Sequence, residues 1–166
     1  MELVVDASTV LRPRSLANER AIYAFLDKNR AYLGKWVAWV RDYKPEKLHQ
    51  DILDTLQETA DGTFLLFDIF YNDEFVGAVD AHDVVAGQSA ELGYYIGEKF
   101  IGKGLATHCT QKLIDFLIEH SNIHYFYLEV IKGNSPSIRV AEKLGFIYAS
   151  QHVDDGITWL KYEKRI

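Results

Sequence analysis

Apolar positions along the chain switch twice between a helical and an alternating rhythm. Short apolar runs at Leu3–Val5 and Thr9–Arg12 read as one or two strands. Leu16, Ile22, Phe25, Leu26 and Leu33 then recur near the 3.6-residue period. That predicts a helix over 16–33 with Ser15 as its N-cap, ended at Gly34. Trp36, Val37, Val40 and Tyr43 keep helical spacing. Pro45 suits the first turn of a further helix with Leu48, Ile52, Leu53 and Leu56 on one face, stopped by Asp61-Gly62.

The middle of the chain is β-rich. FLLFDIF and FVGAVDAH flank Tyr71-Asn72-Asp73-Glu74, a hairpin pattern, and SAELGYYIG supplies a third strand. Leu105, Cys109, Leu113, Phe116 and Leu117 mark a long amphipathic helix. HYFYLEVI is a strand. SPSIRVAEKLGF is a short helix with Ser135 as N-cap, Pro136 at its first position and Gly145 beyond its end. FIYASQHV and ITWLKYEKR, joined at Asp155-Gly156, close the chain as two strands. This order predicts an α/β (α+β) fold, a mixed and largely antiparallel sheet flanked by helices, in one domain over 1–166.

Composition narrows the function classes. The formal net charge is −6 and no Lys/Arg run is present, against a nucleic-acid partner and compatible with a cationic substrate such as an amine. The lone Cys109 excludes an internal disulfide and suits a reducing, cytoplasmic setting. No apolar run has the length of a membrane span, and MELVVDASTV lacks a signal peptide's charged start and apolar core, so neither membrane nor export is expected. His120 and His124 straddle a helix end and make a poor metal pair, so no metal is expected.

GEKFIGKG, residues 97–104, carries the chemistry. It reads G-x-x-x-x-G-K but has Gly104 where a Walker A box needs Ser or Thr to hold Mg²⁺. A Walker B aspartate is also missing, Glu129 being the best candidate for that acid. A Rossmann fingerprint also fails, because Thr107 stands at the third glycine and no βαβ unit opens the chain. A strand, a glycine-rich turn and a helix N-terminus remain. Together they can hold a pyrophosphate on backbone N–H groups without metal. Without a ligand, the same pattern is simply a turn.

Glu91 to Phe146 resembles the GNAT superfamily of acetyl-CoA-dependent N-acetyltransferases. Its pyrophosphate motif, Gln/Arg-x-x-Gly-x-Gly/Ala, falls on Ile101-Gly102-Lys103-Gly104-Leu105-Ala106; Gly104 and Ala106 match, while Ile101 departs. Asn134, Ser137 and EKLGF at 142–146 follow at the family's spacing. LRPRSLANERAIYAFLDKNRAYLGKWVAWV is similar to the branch of the ribosomal-protein serine/alanine N-terminal acetyltransferases.

The resemblance implies direct acetyl transfer from acetyl-CoA, without metal, to a primary amine, with a protein N-terminus as the favoured acceptor. Small amines (polyamine, amino acid, antibiotic) and a non-catalytic acyl-CoA-binding module are the alternatives. The cofactor would lie on the backbone of Tyr95 and Ile96 and on the amides of Ile101, Gly102, Lys103, Gly104, Leu105 and Ala106, with Thr107 adding a hydroxyl. Ser137 would be the general acid toward the thiolate, Glu91 the general base and Asn134 an orienting group for cofactor or water. Tyr32, Trp36 and Trp39 are candidates for an acceptor pocket, Cys109 is expected inert, and a homodimer is left open, since dimers occur among relatives.

Overall fold

The computed structural model describes residues 1–166. Two short strands, β1 (Leu3–Val4) and β2 (Thr9–Pro13), precede helices α1 (Glu19–Leu33) and α2 (Pro45–Asp61). Strands β3 (Leu65–Tyr71), β4 (Glu74–Val85) and β5 (Ser89–Ile96) form a meander. Helix α3 (Leu105–Ser121), β6 (Tyr125–Ile131), α4 (Ser135–Lys143), β7 (Ile147–Asp154) and β8 (Ile157–Arg165) follow. The result is one eight-stranded sheet in the order β1-β2-β3-β4-β5-β6-β8-β7, with β5–β6 its one parallel pair.

Helices cover both faces. The α3 stripe of Leu105, Cys109, Leu113, Ile114 and Leu117 packs on Val79, Ala81, Leu92 and Leu128 of one face. Ile22, Leu26, Leu33, Leu48 and Ile52 of α1 and α2 pack on Phe70, Phe75, Ala78 and Tyr95 of the other. At the β3–β4 turn Asn72 and Asp73 both adopt positive φ, as a tight hairpin matched to strand twist requires. No helix is long and apolar enough to cross a membrane.

The chain departs from its sequence pattern in four places. Helix α1 begins at Glu19, after a 3₁₀ turn over Leu16–Asn18; Ser15 is extended and makes no capping bond. The segment after Gly34 holds only a 3₁₀ turn at Ala38–Val40, because Arg30 donates to the carbonyls of Val40 and Arg41 and folds it back on α1. Asn134, not Ser135, caps α4, its side chain accepting from the Ser137 amide at 3.4 Å. Leu53 and Leu56 lie on the exposed side of α2.

The parallel pair positions the site. β5 and β6 pair only at Ser89–Tyr125, Ala90–Phe126 and Glu91–Tyr127. Beyond them the strands part, while β4 still holds β5 as far as Ile96 and β8 still holds β6 as far as Ile131. Backbone groups on the facing edges are left for a ligand, since buried N–H and C=O groups need partners.

Candidate active site

The parting strands open a cleft of about 370 Å³, within the size range of small-ligand sites. Leu92 to Ile96 form one wall and Leu128 to Ile131 the other. The glycine loop and the start of α3 close one end, α4 flanks it, and the end of α1 with Trp36 and Val37 forms the rim on the opposite face of the sheet.

The loop is built to receive an anion. Gly102 and Gly104 both sit at φ +77°, a conformation that β-carbons disfavour. The Phe100 amide donates to Gly97 and the His108 amide to Gly104, but no amide from Ile101 to Thr107 has a protein acceptor. The first turn of α3 carries no acidic residue, so its positive dipole end is not neutralised. Such a run of free N–H groups at a helix start is an anion cradle.

The α4 wall brings a hydroxyl pair into the cleft. Asn134 and Pro136 hold the first turn of α4 against the lining, so Ser137 projects inward. The Tyr94 hydroxyl donates to Ser137 Oγ at 3.0 Å across the gap between β5 and α4. Burial pushes the Tyr94 phenol up, opposed by that hydrogen bond. Arg139 and Lys143, one turn apart on α4, add positive charge to the same wall.

The opposite face carries a carboxylate. On β6, Phe126, Leu128 and Val130 point into the α3 core, so strand alternation turns Glu129 to the other face, where it lines the cleft beside Trp159. Glu129 Oε1 lies 3.7 Å from His152 Nδ1. Beneath the rim, the Tyr95 hydroxyl accepts from Arg14 at 3.0 Å, and Arg14 donates to the buried Asp68 at 2.8 Å. Burial raises Asp68, against the pull of Arg14.

The residues singled out from sequence divide accordingly. Ser137, Asn134, Tyr95, Ile96, Ile101, Gly102, Gly104, Leu105, Ala106 and Thr107 all line the cleft. Lys103 does not; its ammonium lies 5.5 Å from the Tyr71 ring centre. Glu91 lies outside the lining, with its carboxylate 3.4 Å from His82 Nε2. His82 Nδ1 in turn meets Asp80 at 2.7 Å, and Asp80 followed by Glu91 pushes the imidazole up to about 10. Tyr32 and Trp36 sit on the rim, whereas Trp39 packs edge-to-face against Tyr43 and Tyr95 outside it. Cys109 is buried, and burial pushes its thiol up to about 12, so it stays a protonated core residue. Sequence reasoning missed Tyr94, Glu129, Arg139 and Lys143. Glu129 left a signal, as a charge inside an alternating strand.

Comparison with known proteins gives concordant results. The model of the acetyltransferase (GNAT) domain matches residues 9–147. YdaF of Bacillus subtilis (strain 168) is 26% identical over 123 residues, 72% of this chain and 67% of that protein. The ribosomal-protein-serine acetyltransferase of Escherichia coli (strain K12) is 26% identical over 133 residues, 77% of this chain and 73% of that one. Among solved structures, RimL, a ribosomal L7/L12 α-N-protein acetyltransferase in complex with coenzyme A, superposes with a TM-score of 0.93 at 20% identity, covering 100% of this chain and 98% of that one.

Proposed function

The chain belongs to the GNAT acetyltransferase family, and we propose that its acyl donor is acetyl-CoA and its acceptor a protein N-terminal α-amine. The run of unpartnered amides from Ile101 to Thr107, placed at the end of the split between β5 and β6, carries this reading. When bound, acetyl-CoA supplies an acyl group on a thioester whose sulfur leaves as a thiolate.

The amides of Ile101 to Ala106 hold the pyrophosphate, and Thr107 adds a hydroxyl. Gly104 and Gly102 let that backbone close on the phosphates. The absence of a Gln or Arg side chain at Ile101 leaves the backbone donors intact. Arg139 and Lys143 offer charge for a phosphate on the α4 side. Tyr95 and Ile96 present strand backbone to the extended pantetheine arm, as a strand edge does to a peptide. No part of this requires a metal ligand.

Ser137 acts as general acid toward the departing sulfur. Asn134, by accepting from the Ser137 amide, fixes the turn that aims it. The base role expected of Glu91 falls better to Glu129, because Glu129 lines the cleft and Glu91 does not. A free α-amine has a pKa of about 8, so a useful fraction is neutral near pH 7 and needs only its proton removed as the C–N bond forms. Tyr32, Trp36 and Trp159 form an open aromatic rim on the Glu129 side, suited to a chain end. The similarity to the E. coli ribosomal-protein-serine acetyltransferase favours a protein acceptor.

Thermal unfolding with acetyl-CoA, CoA or ATP·Mg²⁺ tests the donor. At a hundred times its Kd, a ligand adds about 2.7 kcal/mol, roughly 5–10 °C in Tm for a domain of this size. A shift with ATP·Mg²⁺ alone overturns the reading. Turnover then compares peptides beginning with Ser or Ala against polyamines, amino acids and an aminoglycoside. Faster transfer to a small amine overturns the protein acceptor.

A further inference from the structure

A serine is a weak source for the proton that the sulfur needs. A thiol has a pKa of about 8.5, whereas an alkoxide is far more basic than a thiolate. If Ser137 gave up its proton unaided, the step would run uphill. The hydroxyl therefore needs its own proton replaced as it donates.

Tyr94 is placed to do this. Its hydroxyl donates to Ser137 Oγ at 3.0 Å, and the ring is held against the α3 core with the oxygen in the cleft. A hydroxyl has one hydrogen and two lone pairs. With a lone pair taken by Tyr94 and the Ser137 amide bound to Asn134, the serine hydrogen is free to point into the cleft. Even with burial pushing it up, a phenol is far closer in acidity to a thiol than a serine hydroxyl is, so the better-matched exchange is between Tyr94 and the sulfur, with Ser137 between them.

We propose that Tyr94 is the proton source of the reaction and that Ser137 relays its proton to the leaving sulfur. This rests on the acetyl-transfer reading above. As the amine lone pair forms the C–N bond, the C–S bond breaks and its electron pair goes to sulfur. The proton lost by the nitrogen goes to Glu129. Ser137 O–H breaks as S–H forms, and the Tyr94 proton restores the serine, leaving a phenolate. Water in the emptied cleft returns a proton to Tyr94 and takes one from Glu129, so each turnover balances.

The experiment measures kcat and KM of wild type, Tyr94→Phe, Ser137→Ala and the double variant from pH 6 to 10, with acetyl-CoA binding followed by thermal shift. Tyr94→Phe is expected to lose 10- to 100-fold in kcat while KM and the acetyl-CoA shift hold, as removal of general-acid assistance does. The double variant should be no slower than Ser137→Ala, since the two act in series. A proton inventory in H₂O/D₂O mixtures on wild type should require three moving protons, those of the amine, Ser137 and Tyr94, where transfer from Ser137 alone needs two; it needs no variant and decides the matter should Tyr94→Phe fail to fold. A kcat of Tyr94→Phe within threefold of wild type, additive losses or an inventory that two protons account for overturns the relay. If wild type transfers acetyl to no amine, the acetyl-transfer reading falls and the relay with it; if only the variants disagree, the relay alone falls.

Discussion

His82 gives the protein a pH-dependent stability that can be worked out from its contacts. Nδ1 meets Asp80 at 2.7 Å and Nε2 lies 3.4 Å from Glu91. Asp83 on the same bulged stretch of β4 lies within reach, and Glu58 of α2 borders the same surface hollow. The imidazole rises from 6.5 to about 10, chiefly through Asp80. Because the folded value is the higher one, the stabilisation is complete below pH 6.5 and is lost as pH climbs through about 10. Unscreened, the rise would be worth ~5 kcal/mol. The side chain is 36% exposed, so solvent screening reduces it to about 1–2 kcal/mol, the worth of two partly exposed pairs. That corresponds to roughly 2–8 °C in Tm. The assay compares the fall in Tm of wild type and His82→Gln between pH 6.5 and 10; the difference in slope isolates His82 from other groups. Tyr127, pushed up to about 12 by burial and then by Glu91, titrates above that range. NMR titration of His82 gives the value directly. A midpoint near 6.5, or equal slopes in the two proteins, refutes the reasoning.

Three further substitutions probe the site and its support. Gly104→Ala forces a left-handed alanine, about 1–2 kcal/mol, with its β-carbon 3.1 Å from the His108 ring; acetyl-CoA affinity by calorimetry should fall at least tenfold, and an unchanged Kd would contradict the anion cradle. Asp68→Ala strands the buried Arg14 charge and frees Tyr95, so urea unfolding should show a loss of about 3–5 kcal/mol; Asp68→Asn should recover part of it. Glu129→Gln should cut kcat by roughly 10² or more without weakening acetyl-CoA binding, whereas Glu91→Gln should cost less in kcat; the reverse order would return the base role to Glu91.

Much of this architecture was legible because periodic burial and turn chemistry act locally. The α3 stripe and the Asn72-Asp73 hairpin each depend on a few neighbouring residues and formed where the pattern put them, and α4 began one residue early. The glycine-rich turn from strand to helix was legible for the same reason, its glycines and helix start being contiguous. Failures came where distant groups decide. Helical spacing over Trp36–Tyr43 was overridden by Arg30 bonds to Val40 and Arg41. Glu91 and Glu129 are both carboxylates on strands that flank the cleft, and only the limit of the β5–β6 pairing decides which one borders it. Tyr94 and Ser137 are 43 residues apart, with α3 and β6 between them, so no local pattern could join them.

The split also explains why a mixed sheet serves this chemistry. Alternation along β5 and β6 gives each strand two faces, but an intact sheet would seal one from the other. Here the strands part after Glu91 and Tyr127, opening a passage between the α3 face and the face of α1. Tyr94 and Ser137 stand on the α3 side with the glycine loop, and Glu129 stands on the other with Trp36 and Trp159. In the proposed reaction the sulfur would then leave toward its proton donor while the amine enters beside its proton acceptor. The two carriers need not share space. That separation keeps Glu129 from neutralising the acid pair, and it lets the acceptor rim vary without disturbing the loop that holds the donor. Distorting the cleft wall should therefore block transfer while leaving the loop intact: Gly93 lines the cleft, and Gly93→Leu, whose β-carbon would meet the Asp80 carboxylate at 2.8 Å, should abolish turnover yet keep binding of 3′-phospho-ADP, which carries the pyrophosphate, to the loop. Loss of both together would mean that the two faces are not separable.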